Sequence, residues 1–146
     1  MRVYEYRGRR SYDKKWIYGS LLIDNRGNFH IVENNVVEED GHHIRIDGDS
    51  PMFFDNETIG QFTGLYDKNG VKIFEGDIVE VKKEKDGTHF QSEIIWDNDG
   101  ACFTFQTDRH GSSDLLDSIP HKNRENYWSY YDSCEVIGNI HQEKEE

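Results

Sequence analysis

Seven histidines, two cysteines and 29 acidic residues are the side chains of this 146-residue sequence that invite a chemical reading. Metal binding is the first chemistry to weigh. His42 and His43 are adjacent, so on a strand they point to opposite faces and cannot share one ion. No CxxC, HxxxH or HExxH spacing occurs, and Cys102 and Cys134 stand far apart in the chain. Three acidic stretches look like calcium loops: Asp47-Gly48-Asp49, Asp67-Lys68-Asn69-Gly70 and Asp97-Asn98-Asp99-Gly100. An EF-hand loop needs its glycine at the sixth position and a glutamate at the twelfth. Here glycine arrives at the second or fourth position, which suits a hairpin turn.

Covalent catalysis finds no seat either. There is no G-x-S-x-G elbow and no glycine-rich phosphate loop. Cys102 falls among Ala101, Phe103 and Phe105, where a packed thiol is the simpler reading. With 29 acids, carboxylate pairs occur everywhere and single out nothing. The expectation is a protein without catalytic, cofactor-binding or metal residues, and not an enzyme.

Nucleic acid is the next candidate, because Tyr4, Tyr6, Arg7, Arg9, Arg10 and Tyr12 interleave rings with cations as a single-strand stacking platform does. The competing reading is a strand whose aromatic face is core. The formal net charge is −12, unevenly spread. The first fifteen residues hold six Lys and Arg against two acids, and the remainder holds 11 against 27. So acidic a surface repels phosphate backbones over most of the molecule. The basic start then reads as a solvated strand edge, or as a segment that docks on an acidic neighbour in the same chain or another subunit. No stretch approaches the roughly 18 apolar residues of a membrane span, and MRVYEYRGRR lacks the apolar centre of a signal peptide. A cytoplasmic protein with reduced thiols is expected.

The elements that carry these residues are mostly strands. Hydrophobic residues make up 34% of the chain and aromatics 13%, enough for a thin core with aromatic surface left over for an interface. Turn formers recur about every ten residues between short apolar runs. Trp16 to Ile23 and Phe29 to Glu33 flank Asp24-Asn25-Arg26-Gly27-Asn28. A short strand is expected at Gly41 to Ile46. Ile59 to Leu65 and Val71 to Phe74 flank Asp67-Lys68-Asn69-Gly70, where Asn-Gly accepts the positive φ of a tight hairpin. Ile78 to Lys83, Thr88 to Trp96 and Ala101 to Gln106 follow, the last with Ala101, Phe103 and Phe105 on one face. From Thr107 to Ser133 the pattern lapses, apart from a possible helical turn capped by Ser112 or Ser113 and an aromatic group at Trp128, Tyr130 and Tyr131. Glu135 to His141 closes the series.

The central block Gln61-Phe62-Thr63-Gly64-Leu65, Asp67-Lys68-Asn69-Gly70 and Ile73-Phe74-Glu75-Gly76-Asp77-Ile78-Val79 resembles the signature of the YopX family. Phe62 and Phe74 stand where tyrosine is common. Tyr6-Arg7-Gly8, Trp16-Ile17-Tyr18-Gly19, Trp96 and the closing Glu135-Val136-Ile137-Gly138-Asn139-Ile140 extend the likeness over nearly the whole chain. The resemblance implies a mainly β protein. A β-hairpin region over residues 1–55 precedes a small SH3-like barrel over 56–146 that carries a long insertion at 107–133. It also implies a phage or prophage origin in bacteria and self-association into a homo-oligomer, with no established activity. The expected partners are a second copy of the chain and possibly a host or phage protein, with no membrane. The alternative is a nucleic-acid-linked role, through the basic N-terminal strand or through acidic mimicry of DNA towards a host enzyme. The block itself reads as architecture, with glycines at turns and Asp67 and Asp77 bonding backbone amides two positions on.

Overall fold

A computed structural model of the chain describes residues 3–33, 54–106 and 132–142. The expected strand at Gly41 to Ile46, the helical turn near Ser112 and the aromatic group at Trp128, Tyr130 and Tyr131 lie outside them. The described residues are mainly β, in two antiparallel sheets with one 3-10 turn, Asn56–Thr58. No helix among them is long and apolar enough to cross a membrane. They divide into two compact units, Met1–Phe62 and Thr63–Glu146.

In the first unit, β1 (Tyr6–Arg9), β2 (Trp16–Ile23), β3 (Phe29–Val32) and the start of β4 (Gly60–Tyr66) lie in the order β3-β2-β1-β4. The β2–β3 turn is built by Asp24, whose carboxylate accepts the amides of Arg26 at 2.8 Å and Asn28 at 2.9 Å. That bonding fixes the register, with Leu21 opposite Ile31 and Ile23 opposite Phe29. One face of the sheet buries Ile17 and Ile31 together with Phe54, and Tyr6, Leu21 and Ile59 pack against them. Strand β1 has β2 on one side and β4 on the other. The solvated edge expected for the basic start is therefore corrected. Its backbone groups are used on both sides, and Arg7 is buried.

The second unit continues β4 and adds β5 (Lys72–Phe74), β6 (Asp77–Lys83), β7 (Thr88–Asp97), β8 (Cys102–Phe105) and β9 (Ser133–Asn139). Its four-stranded sheet has the order β8-β7-β6-β9, and among the described residues it does not close into a barrel. On β6 the two-residue period holds: Asp77, Val79 and Val81 are buried while Ile78, Glu80 and Lys82 are not. They join Leu65, Ile73, Ile94, Phe103, Phe105 and Cys134 in one core, where each fully buried aliphatic side chain contributes about 1.5–3 kcal/mol. Two aromatic pairs fasten β8 to β7, Phe90 with Phe105 at 5.7 Å and Trp96 with Phe103 at 5.0 Å between centroids.

Two local readings change. Ala101 does not share the face of Phe103 and Phe105. It turns the chain with φ 51° and is exposed. Thr104 is buried as fully as its neighbours, so β8 is covered on both sides and a one-faced period could not describe it. On β9, the register passes from Val79 opposite Val136 to Ile78 opposite Gly138. Ile137 is left over as a bulge and is 45% exposed.

The first sheet provides a sharp test of its packing. A Cβ on Gly19 would lie 1.9 Å from the backbone oxygen of Val32, whereas one on Gly27 meets nothing within 4 Å. Gly19→Ala is expected to cost about 3 kcal/mol or more, since backbone must move. Gly27→Ala, strained only by its φ of 81°, is expected to cost about 1 kcal/mol. Urea unfolding of the two variants measures the difference.

Candidate functional site

The densest polar arrangement in the second unit centres on Asp67, a buried carboxylate at the end of β4. Its Oδ1 accepts the amides of Asn69 at 2.8 Å and Val71 at 2.9 Å, which shapes the β4–β5 turn. Its Oδ2 accepts the amide of Val136 on β9 at 3.0 Å. The turn is fastened to β9 at three further points: Lys68 N–H to Cys134 O at 2.9 Å, Lys68 Nζ to Glu135 at 3.0 Å, and Asn69 Nδ2 to Glu135 at 3.2 Å. Asp67 thus does what the turn reading expects and also reaches a strand 69 residues away. Sequence order carries no signal for that contact. Asp77 departs from the expectation: its Oδ2 accepts the amide of Phe74, three residues back, at 2.8 Å. It closes the turn in which Gly76 takes a φ of 88°.

Both carboxylates hold backbone together, an arrangement that favours structure over proton transfer. Cys134 is similarly committed. Burial, with the Asp67 charge adding to it, pushes its thiol up to about 12, far from a nucleophile's range. Glu75 is the acid whose environment most resembles a proton-transfer group. Burial raises its carboxyl above the ordinary value, and the Glu93 charge raises it further. The two glutamates come near each other because Gly76 N–H donates to Ile94 O at 2.8 Å. Nothing in the sequence marks this pair. Among the described residues no cluster of three or more His, Cys, Asp or Glu is placed to hold a metal ion.

In the first unit the basic residues meet partners from the same unit. Arg7 lies 4.8 Å over the Trp16 ring. Arg10 forms an ion pair with Asp13 and lies 5.0 Å over Tyr12. Lys14 and Arg9 converge on Asp55, at 3.2 and 3.5 Å. The cations of the supposed stacking strand are thus occupied by carboxylates and rings of their own unit, and Tyr6 packs on the core. Asp24 accepts from His30 Nε2 at 3.1 Å, and this bond, with those from Asn28, holds its carboxyl well below the usual range.

This arrangement of glycine turns and buried aspartates coincides with a known family pattern. The family model described as YopX protein matches residues 5–145. The chain belongs to the YopX family. Its fold is similar to that of a solved structure, protein EF1440 from Enterococcus faecalis, with a TM-score of 0.59 at 23% identity, covering 97% of this chain and 95% of that one. No curated protein matches.

Two substitutions separate these roles. Asp67→Ala removes the acceptor of three amides and is expected to destabilise the protein by about 3 kcal/mol. Asp67→Asn keeps one acceptor oxygen but presents an NH2 group to the Val136 amide, so an intermediate loss is expected, with faster hydrogen exchange at Val136. Glu75→Gln should act in the opposite direction. A carboxyl raised in the folded state stabilises the fold below its ordinary value of 4.5 and loses that contribution as pH rises through the folded value. At pH 7 the glutamine variant is expected to be more stable by about 0.5 kcal/mol, after allowance for screening. The gain should vanish in thermal melts run below pH 4.5.

Proposed function

We propose that this chain is a non-catalytic protein-interaction module that works as a homo-oligomer, as an accessory protein of a phage or prophage in the cytoplasm of a bacterial host. The observation that carries the reading is the apolar surface of the second unit. Tyr66, Val71, Trp96, Ile137 and Ile140 are between 40% and 50% exposed. Tyr66 and Val71 flank the Asp67 turn, and Ile137 follows the residue whose amide that turn binds. Apolar side chains gathered around a rigid turn suit a surface that another protein covers. The commitment of Asp67, Asp77 and Cys134 to internal roles supports a module that binds without reacting. Two free thiols agree with a reducing compartment.

The same reading takes the second unit as a small SH3-like barrel. Short strands joined by tight turns support it. So does β6, paired with both β7 and β9, with the Gly76 turn bonded to Ile94 on β7 and to Ile140 at the end of β9. Light scattering on the purified chain should give a whole-number multiple of the chain mass. Ile137→Asp, which places a charge on the exposed bulge, is expected to shift the species towards monomer while leaving the circular-dichroism spectrum unchanged. A wild-type monomer at every concentration would overturn the reading.

A further inference from the structure

We infer that the corner between β1 and β2 is a cationic docking surface for the acidic surface of a second copy of this chain, an inference that rests on the homo-oligomer proposed above. The corner brings together Arg9, Arg10, Lys14 and Lys15. Two carboxylates serve them: Asp13 is taken by Arg10, and Asp55 is shared by Arg9 and Lys14. Four cations against two acids leave a local positive surplus. It is presented outward, because Lys15 is exposed, the Lys14 side chain is 48% exposed and Tyr12 is 71% exposed.

The corner is also rigid. Lys14 N–H donates to Arg10 O at 3.0 Å, Arg10 N–H to Lys15 O at 2.9 Å, and Lys15 N–H to Asp13 Oδ1 at 3.1 Å. Lys14 holds a φ of 60°, a strained conformation for a residue with a side chain. A surface fixed in advance loses little entropy on docking. The rest of the sequence supplies the complement: beyond residue fifteen, 27 acids face 11 bases. A copy of the chain therefore offers what the corner lacks. The long-range repulsion of two acidic molecules is screened beyond roughly 8 Å at physiological salt, while the facing charges are closer. A contact between two different patches is head-to-tail, which closes into a ring or extends as a chain.

The test uses the full chain in light scattering from low to high salt, with Lys14→Glu/Lys15→Glu and the milder Lys14→Gln/Lys15→Gln, each checked by circular dichroism and thermal melting. The wild-type assembly is expected to weaken as salt rises. The glutamine variant should weaken it in part and the charge reversal by about tenfold or more. A wild type that is monomeric throughout sinks the homo-oligomer itself. An assembly indifferent to salt and to both variants sinks only the docking corner. A fluorescent single-stranded DNA bound by wild type and lost in the glutamate variant, with assembly unchanged, assigns the corner to nucleic acid and overturns the inference.

Discussion

The second unit depends on one carboxylate with three backbone amides around it. Asp67 is buried, and a bare carboxylate in that position would carry a desolvation penalty of several kcal/mol. Its two oxygens offset that penalty by accepting from Asn69, Val71 and Val136. Hydrogen bonds to an ionised acceptor are about twice as strong as neutral ones. The consequence reaches beyond the turn. Strand β9 follows the long segment 107–131, so its attachment has a large loop-closure cost. Asp67, Lys68 and Asn69 supply fixed anchor points along Cys134, Glu135 and Val136 before the ladder with β6 is counted. The buried Cys134 sits within that anchored stretch, and the proximity of Asp67 is part of the reason its thiol does not ionise.

The first unit solves a related problem with charges that are closer to solvent. Its turns are also organised by aspartates, Asp24 on the β2–β3 turn and Asp13 on the β1–β2 corner. The same carboxylates also receive side chains, His30 in one case and Arg10 in the other. Paired β1 leaves Arg7 no route to bulk water along a strand edge, and the Trp16 ring takes its guanidinium instead. The two units therefore use aspartate differently. In the second it is enclosed and bonded only to backbone, which makes it architectural. In the first it is shared between backbone and cations, which leaves those cations near the surface with charge to spare.

Strand and turn positions were legible because their causes are local. Trp16 to Ile23 spans the same residues in the sequence reading and in β2, and the Asn-Gly and Asp-Gly turns lie where glycine relieves a positive φ. The features that escaped were those set by distant partners. β1 looks like an edge until Gly60 and Gln61 arrive beside it. Ala101 continues an alternating pattern on paper, yet the turn after Asp97 needs a left-handed residue and takes it. Thr104 has the polarity of an outward residue and is buried because β8 is covered on both sides. The Glu75–Glu93 proximity depends on which residue of β7 meets the Gly76 turn, and neither composition nor spacing encodes it.

The division of labour within the signature block bears on where activity can reside. Phe62, Leu65, Ile73, Phe74 and Val79 are buried, Asp67 and Asp77 are consumed by backbone, and Gly64, Gly70 and Gly76 hold positive φ. Each residue is needed to make the fold, so the residues that define the family are poor instruments for telling its members apart. Specific recognition needs side chains whose replacement leaves the backbone undisturbed. Those are the exposed ones between the signature positions: Tyr66 and Val71 beside the Asp67 turn, Ile137 on its bulge, and Tyr12, Lys14 and Lys15 on the cationic corner. A protein built this way holds its frame constant from within and is free to vary its contacts at the surface.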